Sequence, residues 1–157
     1  MSDDLSTRLV HAIGPEPQFG GVHAPVHPSV QYAYGDVQDL IAVFQGKAKG
    51  AFNYARQGTP TTAALEGLVT ELEGGIGTVS FATGMAALSA IFLTLLKAGD
   101  HLVTSSRVFG NTNSFFGTLQ DLGVAVTKVD AGNVAAVEAA LRPETRMVFV
   151  ETIANPS

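Results

Sequence analysis

Residues 78–105 read TVSFATGMAALSAIFLTLLKAGDHLVTS, and this stretch decides the fold class. Residues 78–82 and His101–Ser105 are short runs rich in apolar and β-branched residues, which predicts two strands. Between them, residues 85–97 are apolar almost throughout and predict a helix. A strand, a helix and a second strand in succession favour a right-handed crossover that places both strands parallel in one sheet.

The same alternation continues towards Ser157. Helices are predicted over residues 111–122 and 134–141, and strands over residues 124–129 and 147–151. The fold class is therefore α/β with a mostly parallel sheet. Residues 1–35 differ, because their prolines and glycines predict an irregular arm with one short helix over residues 5–12. A helix over residues 36–44 follows, and a longer one begins at Thr59-Pro60 and ends at Gly74-Gly75.

The composition excludes several classes of protein. Hydrophobic residues make up 46% and charged residues 15% of the 157 residues, which is typical of a chain that buries a core. Nine basic and fourteen acidic residues give a net charge of -5. The sequence has no run of basic residues of the kind that indicates a nucleic-acid-binding surface. Because the chain has no cysteine, disulfides, thiolate zinc sites and thiol nucleophiles are excluded.

Neither a metal site nor a membrane segment is predicted. His23 and His27 are four residues apart, but Pro25 prevents the helix that would bring them together on one face. The longest apolar stretch, residues 85–96, is far shorter than the roughly 20 residues that span a bilayer. The acidic N-terminus is unlike a signal peptide, so we expect a cytoplasmic protein.

The helix over residues 85–97 is apolar on nearly every face, which predicts burial on all sides. The strands are also apolar runs, typical of a sheet covered on both faces. Four strands and a few helices enclose too little to cover so much apolar surface. We therefore expect the chain to be the N-terminal portion of a larger protein.

Two turns after predicted strands are candidate ligand sites. Gly84 lies where a strand passes into a helix, and free N–H groups there attract a phosphate; a purely structural glycine is the alternative. The turn matches neither a Walker loop nor a G-x-G-x-x-G fingerprint, which disfavours a nucleotide-binding domain. Phe109 follows the next strand and could stack on a flat ligand or belong to the core.

Two pairs of polar residues are further candidates. Tyr54 and Arg56 suggest recognition of a phosphate or carboxylate, or alternatively an arginine stacked on a surface tyrosine. Glu151 and Asn155 follow the last predicted strand, where they would face a ligand or form a turn before Pro156.

Six motifs, in order from about residue 20 onward, carry a family resemblance. They are Tyr54-Ala-Arg-Gln-Gly-Thr-Pro-Thr, Leu65-Glu with Leu72-Glu-Gly-Gly, Ala82-Thr-Gly-Met-Ala-Ala, Gly99-Asp-His, Val108-Phe-Gly-Asn-Thr and Glu151-Thr-Ile-Ala-Asn-Pro. Together they resemble the Cys/Met-metabolism (trans-sulfuration) family of pyridoxal-phosphate enzymes of fold type I. Within it, the chain resembles most the O-acylhomoserine sulfhydrylases and cystathionine γ-synthases.

The resemblance implies pyridoxal 5'-phosphate as cofactor and a role for each candidate. Gly84 and Met85 would donate backbone N–H groups to its phosphate, and Phe109 would stack on its ring. Asn155 would bind the ring oxygen, supported by Glu151. Tyr54 and Arg56 would reach the cofactor phosphate of a neighbouring subunit, which implies a homo-oligomer built as a dimer of dimers. Residues 1–57 would form an N-terminal arm and interface segment, and residues 58–157 the first part of the cofactor-binding domain, without the rest of that domain or a C-terminal domain.

The implied reaction is γ-replacement on an O-acyl-L-homoserine by sulfide or cysteine. Most relatives have tyrosine where this chain has Phe109, and the missing hydroxyl is credited with protonating a thiolate leaving group in several lyases. Methionine or cystathionine γ-lyase activity, by γ-elimination, is the first alternative. The family's Schiff-base lysine and the aspartate that pairs with the ring nitrogen are not in this chain. We therefore expect the 157-residue polypeptide to be inactive alone, and a non-catalytic fragment is the second alternative.

Overall fold

The computed structural model describes residues 4–11 and 19–155. These residues form six helices and three strands, and contacts divide them into two compact units, the first ending at Ser80 and the second beginning at Phe81. The helices are α1 Leu5–His11, α2 Val37–Phe44, α3 Pro60–Glu73, α4 Gly84–Leu95, α5 Gly110–Asp121 and α6 Val134–Ala140; the strands are β1 His101–Ser105, β2 Ala125–Val129 and β3 Thr145–Phe149. The division at residue 57 remains a prediction.

The longest helix of the first unit is α3, and local signals in the sequence define both of its ends. Thr59 and Thr62 form a reciprocal capping box at its start, Pro60 follows the cap, and Gly74 ends it in the left-handed conformation at φ 60°. The predicted bounds of this helix are confirmed, and α2 begins one residue after the predicted start at Asp36, which is its N-cap. The predicted end of α1 at Ala12 lies outside the described residues.

The second unit is built on a parallel sheet in the order β2-β1-β3, which confirms the α/β class. The central strand β1 is buried along its whole length, since β2 and β3 flank it and helices pack on it. Phe92 of α4 and Phe116 of α5 are fully buried in the core, where both rings contact Phe149 of β3 edge-to-face at 5.2 and 6.3 Å between centroids.

The strand predicted over residues 78–82 is wrong. Extended backbone becomes a strand only beside a hydrogen-bonding neighbour, and no described strand pairs with these residues. Instead, the Ser80 N–H and hydroxyl donate to Glu66 Oε1 of α3, at 2.9 and 2.8 Å. The segment is therefore held by a helix side chain in place of a ladder.

Two further expectations differ from the structure. The last strand covers Thr145–Phe149, two residues upstream of the predicted 147–151, because its pairing with β1 begins at His101–Thr145 and ends at Thr104–Phe149. Helix α4 buries only Phe92 completely, while Ile91, Leu93 and Leu95 are exposed. One face of α4 contributes to the core of the second unit, and the described residues leave much of its remaining surface open.

Gly123 and Gly117 offer a matched test of the turn between α5 and β2. Gly123 has φ 86°, and a Cβ there would lie 3.0 Å from the Cβ of Ala98, whereas Gly117 sits in α5 with open space around it. Gly123→Ala should lower the free energy of unfolding by about 1–3 kcal/mol. Gly117→Ala should raise it by up to about 1 kcal/mol, because alanine favours helix. Urea unfolding measures both, and equal effects would contradict this account of the turn.

Candidate functional site

The turn at Gly84 presents free backbone donors. Thr83 caps α4, and its hydroxyl oxygen accepts the Ala86 N–H at 3.0 Å. The N–H groups of Gly84 and Met85, by contrast, donate to no described residue. A Cβ on Gly84 would meet no atom within 4 Å, so the backbone is open to an approaching ligand. Two free donors at a helix N-terminus can hold an anion.

Phe109 and Glu151 meet although 42 residues separate them. Both carboxylate oxygens of Glu151 accept the Phe109 N–H, at 3.1 and 3.0 Å. Phe109 is the N-cap of α5, and Arg107 lies two residues beyond the end of β1. Glu151 lies two residues beyond the end of β3. Phe109 is 38% exposed and is absent from the buried core, so a flat ligand could stack on its ring.

A weak contact connects these two turns. The Thr112 hydroxyl of α5, which is fully buried, donates to Met85 Sδ of α4 at 3.9 Å. The start of α4 therefore lies beside the first turn of α5. Gly84, Met85, Phe109 and Glu151 accordingly form one group in the second unit, at the carboxyl edge of the parallel sheet where α/β folds bind ligands.

Asn155 lies four residues after Glu151 and is exposed, next to the buried Ala154. Its side chain makes no hydrogen bond with a described residue. Its amide is therefore available to a ligand.

Tyr54 and Arg56 form a pair in the first unit. The Arg56 guanidinium lies over the Tyr54 ring, 4.8 Å from its centroid, and Tyr54 forms an isolated antiparallel bridge with Gln31. Because the pair is anchored through the backbone while Arg56 is exposed, the guanidinium keeps donors for an anion.

A cleft of about 580 Å³ opens at the carboxyl edge of the sheet. Its walls include Ser105 and Arg107 after β1, Asp130 after β2 and Glu151 after β3. The sequence reasoning singled out only Glu151 among these. The signal that could have found Arg107 and Asp130 is their position in the sequence, because each lies within two residues of a strand's carboxyl end.

At the opposite, amino edge of the sheet, His101 joins all three strands. Its ring nitrogens hydrogen-bond Thr145 Oγ1 of β3 at 2.7 Å and Thr127 Oγ1 of β2 at 2.8 Å. Arg142 donates to both hydroxyls, through Nη2 to Thr127 and through its backbone N–H to Thr145. Burial lowers the pKa of His101, Arg142 lowers it further and Glu144 opposes them, so the ring is neutral near pH 7.

This pKa shift gives the fold a pH dependence. As the pH falls below the ordinary histidine value of 6.5, the unfolded chain gains a proton that folded His101 does not. The free energy of unfolding should therefore fall by up to about 1.4 kcal/mol per pH unit below that value, with no contribution above it. Urea unfolding of the wild type and His101→Gln between about pH 5 and about pH 8 measures the difference, and parallel profiles would contradict this assignment.

The described residues contain no cluster of three histidine or acidic side chains able to hold a metal ion. Among those same residues, no helix combines the length and apolar character needed to cross a membrane.

Comparison with known proteins decides the family. The sequence model of the Cys/Met metabolism PLP-dependent enzymes matches residues 6–157. The chain belongs to this family. The family depends on pyridoxal phosphate, so the predicted family and cofactor are confirmed.

Individual proteins similar to this chain support the same family assignment. L-methionine gamma-lyase from Pseudomonas deceptionensis is 36% identical over 98% of this chain and 39% of its own length. Cystathionine gamma-synthase from Mycobacterium leprae is 34% identical over 97% of this chain and 38% of its own length. The crystal structure of metB from Corynebacterium glutamicum superposes with a TM-score of 0.87 at 32% identity, over 99% of this chain and 39% of that one. This trans-sulfuration-family chain thus spans about two fifths of the length of these relatives.

Proposed function

We propose that the enzyme containing this chain catalyses γ-replacement on an O-acyl-L-homoserine, with sulfide or cysteine as the incoming nucleophile. The supporting observation is Phe109, an exposed residue that presents a ring without a hydroxyl at the N-terminus of α5. An acyloxy group leaves as a stabilised carboxylate and needs less help from an acid than a thiolate does. A site without the tyrosine hydroxyl therefore suits an acylated substrate.

The residues at the carboxyl edge fit pyridoxal phosphate. The free N–H groups of Gly84 and Met85, with open space at Gly84, suit its phosphate. The exposed Phe109 ring suits stacking, and the Asn155 amide suits the ring oxygen. Glu151 fixes the Phe109 backbone and thereby the position of its ring. When bound, the cofactor serves as an electron sink for bond cleavage at the substrate's α-carbon.

Tyr54 and Arg56 are proposed to bind the cofactor phosphate of a neighbouring subunit. Their stacked geometry supports this role, because a guanidinium over a tyrosine ring is held in place while its N–H groups remain able to donate to an anion. The site would then be completed by a second copy of the chain, in a homotetramer made of two dimers.

γ-Elimination is the second candidate. The relative named L-methionine gamma-lyase, at 36% identity, favours it. The two reactions differ in their products and in their need for a sulfur nucleophile.

Product analysis of the full-length enzyme tests the proposal. We expect homocysteine from O-acylhomoserine only when sulfide is added, or cystathionine when cysteine is added. An α-keto acid and ammonia formed from methionine without a nucleophile would identify a lyase instead and overturn the proposal. The 157-residue polypeptide alone is the matched control and should be inactive, since all four of its lysines (Lys47, Lys49, Lys97 and Lys128) are exposed.

A further inference from the structure

The buried hydroxyl of Thr112 has only a weak partner. Thr112 lies in the first turn of α5 and is fully buried, and no described residue other than Met85 hydrogen-bonds its hydroxyl. The Met85 sulfur is a weak acceptor, and it lies 3.9 Å from Thr112 Oγ1. Because a buried donor without a good acceptor costs free energy, a stronger acceptor at this place would be favourable.

The separation of the sulfur and the hydroxyl suits one additional oxygen. A hydrogen bond between two oxygens is about 2.7–2.8 Å long. An S–O bond followed by such a hydrogen bond, bent at the shared oxygen, spans the 3.9 Å between Met85 Sδ and Thr112 Oγ1. Methionine sulfoxide carries an oxygen of this kind, and oxidation makes the apolar side chain polar. The Thr112 hydroxyl is therefore placed to bind the sulfoxide oxygen of an oxidised Met85.

Met147, the other methionine that the structure describes, has different surroundings. Both residues are half-buried, but Met147 packs against the hydrophobic core of the second unit, to which Met85 does not belong. Among the described residues, no hydrogen-bond donor contacts the Met147 sulfur. An oxygen on Met147 would press against apolar side chains, whereas an oxygen on Met85 would gain a buried donor.

Met85 also belongs to the turn proposed to hold the cofactor phosphate. Its N–H and that of Gly84 donate to no described residue. A sulfoxide oxygen carries partial negative charge, and on the same residue it would oppose the negative phosphate that these N–H groups attract. Oxidation of Met85 should therefore weaken cofactor binding.

We propose that Met85 is a redox modification site, at which peroxide forms a sulfoxide that Thr112 binds and that lowers the affinity of the enzyme for its cofactor. The sulfur lone pair forms the S–O bond as the O–O bond of hydrogen peroxide breaks, and the peroxide leaves as water. Methionine sulfoxide reductases reverse the modification. The effect on the cofactor rests on the proposed phosphate site, whereas the oxidation itself does not.

The stereochemistry of the sulfoxide tests the role of Thr112. The sulfur of a sulfoxide is chiral, and each of the two classes of methionine sulfoxide reductase reduces one epimer. Because Thr112 lies on one side of the sulfur, hydrogen peroxide should produce one epimer at Met85 of the full-length holoenzyme. Mass spectrometry of the Met85 peptide should then show that one reductase class alone removes the added oxygen.

Two substitutions at Thr112 serve as variant and control. Thr112→Val removes the hydroxyl and should give both epimers, while Thr112→Ser retains the hydroxyl and should give the single epimer of the wild type. Both epimers in the wild type, or the same single epimer in Thr112→Val, would overturn the role of Thr112.

Titration of the full-length apoenzyme with pyridoxal phosphate, before and after peroxide treatment, tests the effect on the cofactor. Oxidation should weaken binding about 10-fold in the wild type and in Met147→Leu. Met85→Leu should have the same affinity before and after peroxide, and reductase treatment should restore the affinity of the wild type. An equal loss in Met85→Leu would overturn Met85 as the site of the effect.

The two measurements separate this inference from the proposed phosphate site. If Met85 is oxidised to one epimer and the cofactor affinity is unchanged, the link between the modification and cofactor binding is overturned. If Met85 stays unoxidised while Gly84→Val loses cofactor affinity, the modification site is overturned and the phosphate site is retained.

Discussion

Gly84→Val should weaken pyridoxal phosphate binding about 100-fold or more while leaving the fold intact. A Cβ at this position meets no atom of another described residue within 4 Å outside the start of α4, so folding should lose little. It would occupy the space through which a phosphate reaches the N–H groups of Gly84 and Met85. Losing two hydrogen bonds to a charged group costs about 1.5–3 kcal/mol each, and 1.4 kcal/mol is tenfold in affinity.

Titration of the full-length apoenzyme with pyridoxal phosphate, followed by absorbance, measures this affinity. Gly117→Val is the matched control, since Gly117 also lies in a helix with open space around it but away from a helix start. We expect the control to bind the cofactor like the wild type. Normal affinity in Gly84→Val together with an unchanged melting temperature would rule out this turn as the phosphate site.

Phe109→Tyr should raise γ-elimination from L-methionine about 10- to 100-fold, because a positioned acid for the thiolate leaving group is a substantial catalytic contribution. Phe109 is 38% exposed and lies outside the buried core, so an added hydroxyl should not disturb that core. Stacking is retained, and γ-replacement on an O-acylhomoserine should change less than about threefold.

Initial rates of α-keto acid and of homocysteine formation report the two reactions separately. Phe44→Tyr adds the same hydroxyl to an exposed phenylalanine of the first unit and should alter neither rate. If Phe109→Tyr leaves elimination unchanged, the missing hydroxyl does not decide between the reactions, and the main support for γ-replacement is lost.

The elements that local chemistry specifies were predictable from the sequence. The Thr59 capping box with Pro60 and the Gly74 terminus lie within α3 or next to it, so short-range spacing predicts that helix. The strand over residues 78–82 shows the opposite case. Its apolar pattern is that of a strand, but a ladder needs a partner, and the described residues supply the Glu66 carboxylate instead.

The residues of the candidate site also divide into those that the sequence predicts and those that only the structure shows. Motif order and turn position were enough to select Gly84, Phe109, Glu151 and the Tyr54–Arg56 pair. Arg107 and Asp130 were missed because only the packing of the strands brings them, with Glu151, to the walls of one cleft. The partners of His101 are likewise invisible in the sequence, because folding brings its ring to two threonines on neighbouring strands.

The sequence by itself determined the α/β class, the approximate positions of the helices and the family, because periodicity, caps and ordered motifs are properties of neighbouring residues. Only the tertiary structure decided that Glu151 holds the Phe109 N–H across 42 residues, that His101 joins three strands, and that residues following all three strands line one cleft. These features arise when strand register brings distant side chains to one edge of the sheet. Hydrogen bonding then depends on which groups meet in space, and chain order alone does not specify that.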